Sequence, residues 1–214
     1  MIYAKESFNL QPASPATRDR FVATAGDSLL PAGEAHGAKP VGAWFCHEEW
    51  FSQIVHVTGF ESLGAYASYR EAAGADGELA KAHTELAGLA PERRCELLET
   101  LGPIPEATLD AAIEAASAKA ADVYTFAILE VAPGRMDQFK AMLAAAGAGL
   151  PILASWRDLS GNPDRVIDLW RGDVGRSGFE PSSPQVDAFF EPLREVAPGE
   201  RMMRLHALPY SPLR

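Results

Sequence analysis

The sequence has few basic residues, no long apolar run and only two cysteines. Its 214 residues include 19 Lys and Arg against 29 Asp and Glu, a formal net charge of -10. Because such a surface repels phosphate groups and no stripe of Lys and Arg offsets it, we expect no binding to nucleic acids or anionic membranes. No run approaches the roughly 18 apolar residues of a membrane-spanning helix, and the N-terminus lacks a signal-peptide pattern, so we expect no signal peptide.

Motifs for metals, phosphates and nucleophilic catalysis are also missing. Cys46 and Cys95 form no CxxC pair and are predicted to be small apolar core residues. A reduced, cytoplasmic protein is the simplest prediction. The histidines, at positions 36, 47, 56, 83 and 206, show no HxH or HExxH spacing, so no metal site is predicted. Neither a glycine-rich phosphate loop nor a GxSxG elbow is present.

The predicted secondary-structure elements occur in the same order twice, and the first copy fills the first half of the chain. Alternating apolar and polar residues predict a strand at 2–10, and further strands are predicted at 40–46, 53–59 and 94–101. A helix with Phe21 on its apolar face follows the first strand and is predicted to end at Pro31. A second helix begins near Glu61, with Leu63 on its apolar face. Residues 77–88 contain few large apolar side chains and are predicted to be an exposed helical insertion.

The second half repeats this order. Its predicted strands are 123–131, 151–158, 165–171 and 201–208. One helix follows Pro133-Gly134. Another begins at Ser183-Pro184, and its apolar face is Val186, Phe189, Phe190 and Leu193. The repeated order β-α-β-β-α-β is that of a ferredoxin-like unit. We therefore predict an α+β fold of two tandem units, 1–101 and 122–214, joined by a helical connector at 102–121.

The strands also indicate how the two units associate. A ferredoxin-like unit covers one face of its sheet with helices and leaves the other face bare. The stretch from Val123 to Leu129 is apolar on both sides, which is typical of a strand buried on both faces. We therefore expect each unit to cover the bare face of the other, so that the chain closes an α/β barrel within itself.

Several short motifs resemble NIPSNAP-type domains. They are Ile2-Tyr3 with Leu10-x-Pro12, Gly42-x-Trp44, Ser62-Leu63 to Tyr69-Arg70-Glu71, Val123-Tyr124 through Gly134, Ser155-Trp156 and Asp168-Leu169-Trp170. The resemblance covers most of the chain as two repeats and implies the dimeric α/β-barrel superfamily. The first strand of the family usually carries an Arg. Glu6 and Ala127 stand at the corresponding positions here, so no role of that Arg can be carried over.

Three polar residues on otherwise apolar strands are candidate catalytic residues. Glu6 interrupts an apolar register, where burial would raise the pKa of its carboxyl as a general acid or base requires. His56 and Asp168 occupy corresponding strands of the two units and could face one cavity as a proton-transfer pair. The alternative is structural: Glu6 would be solvated or paired with an Arg, and the other two would be satisfied buried polar residues.

Five further residues are candidate ligand contacts. Trp44, Trp156 and Tyr124 could form the wall of a pocket for a flat ligand, although aromatic residues in strands are most often core. Arg204 and His206 share a face of the last strand and could bind an anionic group, although a solvated strand face is the simpler interpretation.

The resemblance implies three possible functions. The first is a cofactor-independent enzyme of the monooxygenase, cyclase or isomerase type that acts on a small aromatic or polyketide-like molecule. The second is a non-catalytic small-molecule-binding or scaffold protein. The third is a haem protein with His56 or His206 as axial ligand, since some barrel relatives bind haem. The expected partner is a small molecule, no cofactor is expected, and a homodimer remains open.

Overall fold

The structure is a computed structural model that describes residues 1–75, 77–121, 123–146, 149–172 and 184–214, without the side chains of 185–187 and 189. The side chains of Val186 and Phe189, two residues of the predicted apolar helix face, are therefore not among those described. The strands are β1 (Ile2–Asn9), β2 (Lys39–Cys46), β3 (Gln53–Phe60), β4 (Glu92–Thr100), β5 (Val123–Glu130), β6 (Ile152–Asp158), β7 (Arg165–Arg171) and β8 (Gly199–Ala207). The helices are α1 (Pro15–Thr24), a π-helix (Ala25–Leu29), α2 (Leu30–Ala35), α3 (Leu63–Ala75), α4 (Gly77–Leu89), α5 (Glu106–Ala118), α6 (Met136–Ala146) and α7 (Pro184–Val196).

Hydrogen bonding orders the strands β1-β3-β2-β8-β5-β7-β6-β4 and closes them into an eight-stranded barrel. The predicted α+β barrel fold is therefore confirmed. The chain forms two compact units: unit 1 consists of Met1–Leu97 with His206–Arg214, and unit 2 of Leu98–Leu205. Helix α5, which falls in the predicted connector, lies in unit 2 and buries Leu109, Ala112 and Ala116.

In unit 1, β3 pairs antiparallel with β1 on one side and with β2 on the other. The β2–β3 register shifts between Pro40 and Gly42. A Cβ atom at Gly42 would lie 2.2 Å from the ring of Trp44, so this position requires glycine. On the helix-covered face of the sheet, Phe8 and Ile54 pack in one core with Phe21 of α1.

The segment 206–214 completes unit 1. The amide of Ala43 donates a hydrogen bond to the Ser211 hydroxyl at 2.9 Å, and the amide of Leu208 donates to the Ala43 carbonyl at 3.0 Å. Further along, the amide of Leu213 donates to the Val41 carbonyl at 3.2 Å. These bonds satisfy backbone groups of β2, which would otherwise be buried without partners.

Three expectations about unit 1 are wrong. The first helical region does not end at Pro31, because this proline occupies the first turn of α2, where its missing N–H breaks no hydrogen bond. Helix α4 is no exposed insertion, since it buries Leu79, Ala82, Leu86 and Leu89. Leu63 is exposed, and α3 buries Tyr69 instead.

The two cysteines differ in their surroundings. Cys46 is buried and its thiol donates to Gln53 Oε1 at 2.9 Å, as expected for a core residue. Cys95 lies exposed on β4, so its prediction as a core residue is wrong. The physical reason is that the first residues of β4, Glu92 to Arg94, are also exposed and leave this end of the strand open to solvent.

In unit 2, β7 pairs antiparallel with β5 and with β6, and the β6–β7 register shifts between Ile152 and Ala154. Phe139 and Leu143 of α6 pack against Ala127 and Trp170 in one core. These residues of α6 therefore form the face that covers the sheet of this unit.

Candidate functional site

The strand registers define the positions of the three candidate catalytic residues. Glu6 pairs directly with His56 across β1 and β3, and Ala127 pairs directly with Asp168 across β5 and β7. Directly opposed residues share one face of a sheet. Because Phe8 lies two residues after Glu6 and packs under the helices of unit 1, Glu6 and His56 also lie on this helix-covered face.

His56 is enclosed by unit 1 and already hydrogen-bonded. Its side chain is 4% exposed, and Nε2 lies 2.7 Å from the hydroxyl of Tyr210. The rings of Phe8 and Phe21 lie 5.2 and 5.8 Å away, centroid to centroid. Burial, followed by the charge of His83, lowers the pKa of His56 to about 3. His56 is therefore neutral at ordinary pH and satisfied as a core residue.

Glu6 belongs to a cluster of polar side chains on the same unit. Its carboxyl is half-buried, and burial raises its pKa, while the charges of Arg93 and Arg70 act in the opposite direction. Beside it, the hydroxyl of Tyr69 lies 3.0 Å from Nε2 of His83. Burial, followed by the charges of Arg93 and Arg70, lowers the pKa of His83 to about 4. The charges of the two arginines only partly oppose burial, so the pKa of Glu6 stays above its ordinary value.

Asp168 has different surroundings, at the centre of β7 in unit 2. Its side chain is 3% exposed, and Oδ1 has no hydrogen-bond partner within the described residues. Burial raises the pKa of Asp168 to about 7; the Ser155 hydroxyl acts to lower it, and the charge of Glu200 raises it. Ser155 stands directly opposite Asp168 in the β6–β7 register. The carboxyl therefore exchanges its proton close to neutral pH.

A pocket lies beside Asp168, between the sheet of unit 2 and its helices. Apart from Asp168, Glu200 and the indole of Trp170, its lining is apolar, and it includes Phe139, Leu143, Phe190, Leu193 and Met202. Its volume is about 40 Å³, room for roughly three water molecules. Trp170 is 9% exposed, and its indole nitrogen also has no hydrogen-bond partner among the described residues. Two unpartnered polar groups thus border one apolar pocket.

His56 and Asp168, the expected proton-transfer pair, belong to different units of the chain. Each lies on the face that the helices of its own unit cover: His56 contacts Phe21 of α1, and Asp168 lines the pocket with Phe139 of α6. The sequence contained no signal for Tyr210, which follows the last strand in an irregular segment, 154 residues from His56.

The candidate ligand contacts do not line this pocket either. Trp44, Tyr124 and Trp156 are fully buried, and Trp156 packs against Phe126 with ring centroids 6.5 Å apart. These three side chains pack in the interior, where large aromatic residues stabilise most because they are fully buried.

Arg204 and His206 are exposed on β8, as a solvated strand face predicts. His206 borders a surface groove of unit 1 together with Arg18 and Phe45. The guanidinium carbon of Arg18 lies 5.7 Å from the centre of the Phe45 ring.

The residues present do not fit an axially bound haem. Nε2 of His56, the atom that would coordinate iron, is engaged by Tyr210, and aromatic rings enclose the imidazole. His206 is exposed at the groove. Among the described residues, no cluster of three or more His, Cys, Asp or Glu could hold a metal ion. None of the described helices is long and apolar enough to cross a membrane.

The order of elements and the closed strand order define an α/β barrel built of ferredoxin-like units. Residues 10–93, which fall within unit 1, match the family model described as NIPSNAP, and the match confirms the resemblance for this part of the chain. A comparison with curated protein sequences finds no match.

Solved structures share the fold across almost the whole chain. A proposed monooxygenase from Lactobacillus acidophilus NCFM has a TM-score of 0.58 at 14% identity, covering 95% of this chain and 92% of its own. One from Fusobacterium nucleatum has a TM-score of 0.59 at 9% identity, covering 97% and 92%. An anthrone oxidase-like protein has a TM-score of 0.55 at 13% identity, covering 96% and 90%. At these identities, the likeness establishes the fold alone.

Proposed function

We propose that the chain is a cofactor-independent enzyme that removes a proton from a small, largely apolar molecule in the pocket of unit 2. The observation that carries this proposal is Asp168: a buried carboxyl with an unpartnered oxygen, on the wall of an apolar pocket. Its pKa of about 7 suits a general base, because a base works best when its pKa is close to the operating pH.

The chemistry begins with one proton transfer. Asp168 takes a proton from carbon or oxygen of the substrate, and the electron pair stays on the substrate as an enolate. Return of the proton to another carbon gives isomerisation, attack of the enolate on a second carbonyl gives cyclisation, and its reaction with dioxygen gives oxygenation. The similarity in fold to proposed monooxygenases and to an anthrone oxidase-like protein supports this range of reactions.

The size of the pocket limits the substrate. A volume of about 40 Å³ is well below the roughly 150 Å³ of a cavity that binds benzene, so even a single ring enters only when the lining side chains move. Met142 and Met202 line the pocket, and methionine side chains adapt readily to a ligand. We therefore propose a substrate with a single small ring, or one such ring of a larger molecule.

Exchange of carbon-bound protons tests the proposal directly. Cyclohexanone in D₂O at pH 7 to 8 exchanges its α-protons when a base removes them, and proton NMR follows the loss of their signal. We expect the protein to accelerate this exchange and Asp168→Asn to lose a factor of about 10² to 10⁴, the usual contribution of a general base. Asp110→Asn, the same change at an exposed position of α5, serves as control.

Two outcomes contradict the proposal: no acceleration by the wild-type protein, or equal rates for Asp168→Asn and the wild type. A non-catalytic binding protein is the second candidate, and the small volume of the pocket favours it. That function predicts binding of cyclohexanone without accelerated exchange.

A further inference from the structure

Two buried polar atoms of opposite character line the pocket of unit 2. Asp168 offers an acceptor oxygen and Trp170 offers an indole N–H, and neither atom has a partner within the described part of the chain. The two residues are separated by one residue on β7, so they lie on one face of the sheet, about 7 Å apart along the strand. Both line the pocket.

A ligand that satisfies both atoms must present an acceptor and an acidic hydrogen. A buried N–H without a partner is unfavourable, and a ligand oxygen that accepts its hydrogen bond removes this penalty. A carbonyl group provides such an oxygen, and the neighbouring carbon provides the acidic hydrogen. The apolar lining accommodates the remainder of the molecule.

We propose that the substrate is a carbonyl compound whose oxygen accepts a hydrogen bond from the Trp170 indole while its acidic α-hydrogen faces Asp168. This inference rests on the proposed function and names its substrate class. When Asp168 removes the α-proton, negative charge develops on the carbonyl oxygen. The Trp170 N–H then stabilises the enolate more strongly than the ketone, so Trp170 both binds the substrate and lowers the barrier.

An amine is the competing ligand class for the same pocket. Asp168 and Glu200 would attract a cation, and the rings of Phe139, Phe190 and Trp170 could contact one through their faces. An alkylammonium, however, has donors only and cannot accept from the indole N–H. Binding of an amine would leave the nitrogen of Trp170 buried without a partner, and for this reason we favour the carbonyl.

Binding to the wild-type protein gives the first test and needs no variant. Cyclohexanone, cyclohexylamine and methylcyclohexane have similar size and differ in acceptor and charge, and ligand-observed NMR measures their relative affinities. We expect cyclohexanone to bind most tightly of the three. Tighter binding of cyclohexylamine overturns the assignment in favour of an amine site, and equal binding of methylcyclohexane shows that the indole N–H plays no part.

The variant Trp170→Phe gives the second test, because it keeps an aromatic ring and removes the N–H. We expect cyclohexanone affinity to fall roughly three- to tenfold, as loss of one neutral hydrogen bond predicts, with no change for methylcyclohexane. We expect the exchange rate of bound ketone to fall by a further factor of about ten or more, since the lost bond strengthens in the transition state. Trp50→Phe in unit 1 is the matched control.

The outcomes separate this inference from the proposed function. If Asp168→Asn abolishes exchange while Trp170→Phe behaves like Trp50→Phe, the proton transfer stands and the role of Trp170 is refuted. If Asp168→Asn leaves exchange unchanged, the proposed function fails. A ketone preference that disappears in Trp170→Phe would then still identify a carbonyl-binding site.

Discussion

The ionisation of Asp168 predicts a specific loss of stability as pH rises. Burial raises the pKa of this carboxyl from 3.8 to about 7, so between these values the folded state holds a proton that the unfolded state has released. The free energy of unfolding therefore falls as pH rises through this window. At 1.36 kcal/mol per pH unit, the full effect amounts to about 4 kcal/mol. Of this, about 2–3 kcal/mol falls between pH 5 and pH 8.

Asp168→Asn isolates the effect, because an amide of nearly the same shape does not ionise. Relative to the wild type, the variant should gain about 2–3 kcal/mol of unfolding free energy between pH 5 and pH 8. Urea unfolding followed by circular dichroism at four pH values and constant ionic strength measures this difference. Asp110→Asn, at an exposed position, controls for the loss of one negative charge. Parallel pH profiles for Asp168→Asn and the wild type would refute the assignment of a raised pKa to this carboxyl.

Two further predictions concern unit 1. Tyr210→Phe leaves the buried Nε2 of His56 without its partner, and the free energy of unfolding in urea should fall by about 1–3 kcal/mol; an unchanged value would mean that the bond contributes nothing. Gly42→Ala places a methyl group 2.2 Å from the Trp44 ring and should lower stability by about 1–3 kcal/mol or more. Gly64→Ala, in the exposed part of α3, should be neutral or stabilising by up to about 1 kcal/mol, and thermal unfolding compares the two.

Local sequence patterns were sufficient for the strands. A run of residues that is apolar on both faces predicted β5 within one residue, and the predicted strand 165–171 coincides with β7, because the residues that define these strands are close in sequence. The prediction for helix α4 was wrong because one of its four buried residues is the small Ala82, which leaves a weak apolar stripe of three leucines. The end of α2 was misplaced because Pro31 occupies a position that a helix tolerates.

The site could be predicted only in part. A carboxylate among the apolar residues of β7 identified Asp168, and the strand register preserved the correspondence of His56 with Asp168. The register between neighbouring strands decides which face of the sheet these side chains occupy. A register shift of one residue moves them to the opposite face. Glu200, on β8, influences Asp168 from a distant part of the sequence, and no local pattern indicates such a contact.

The position of residues 206–214 in unit 1 has a consequence for biosynthesis. Their hydrogen bonds to β2 and the contact of Tyr210 with His56 form only after the intervening stretch, Leu98–Leu205, has left the ribosome. At about 5–20 residues per second, roughly 100 residues delay this step by about 5–20 seconds. During that interval the nascent chain exposes an unpaired edge of β2, and the half that is synthesised first is completed last. The exposed edge makes this half a natural client for chaperones.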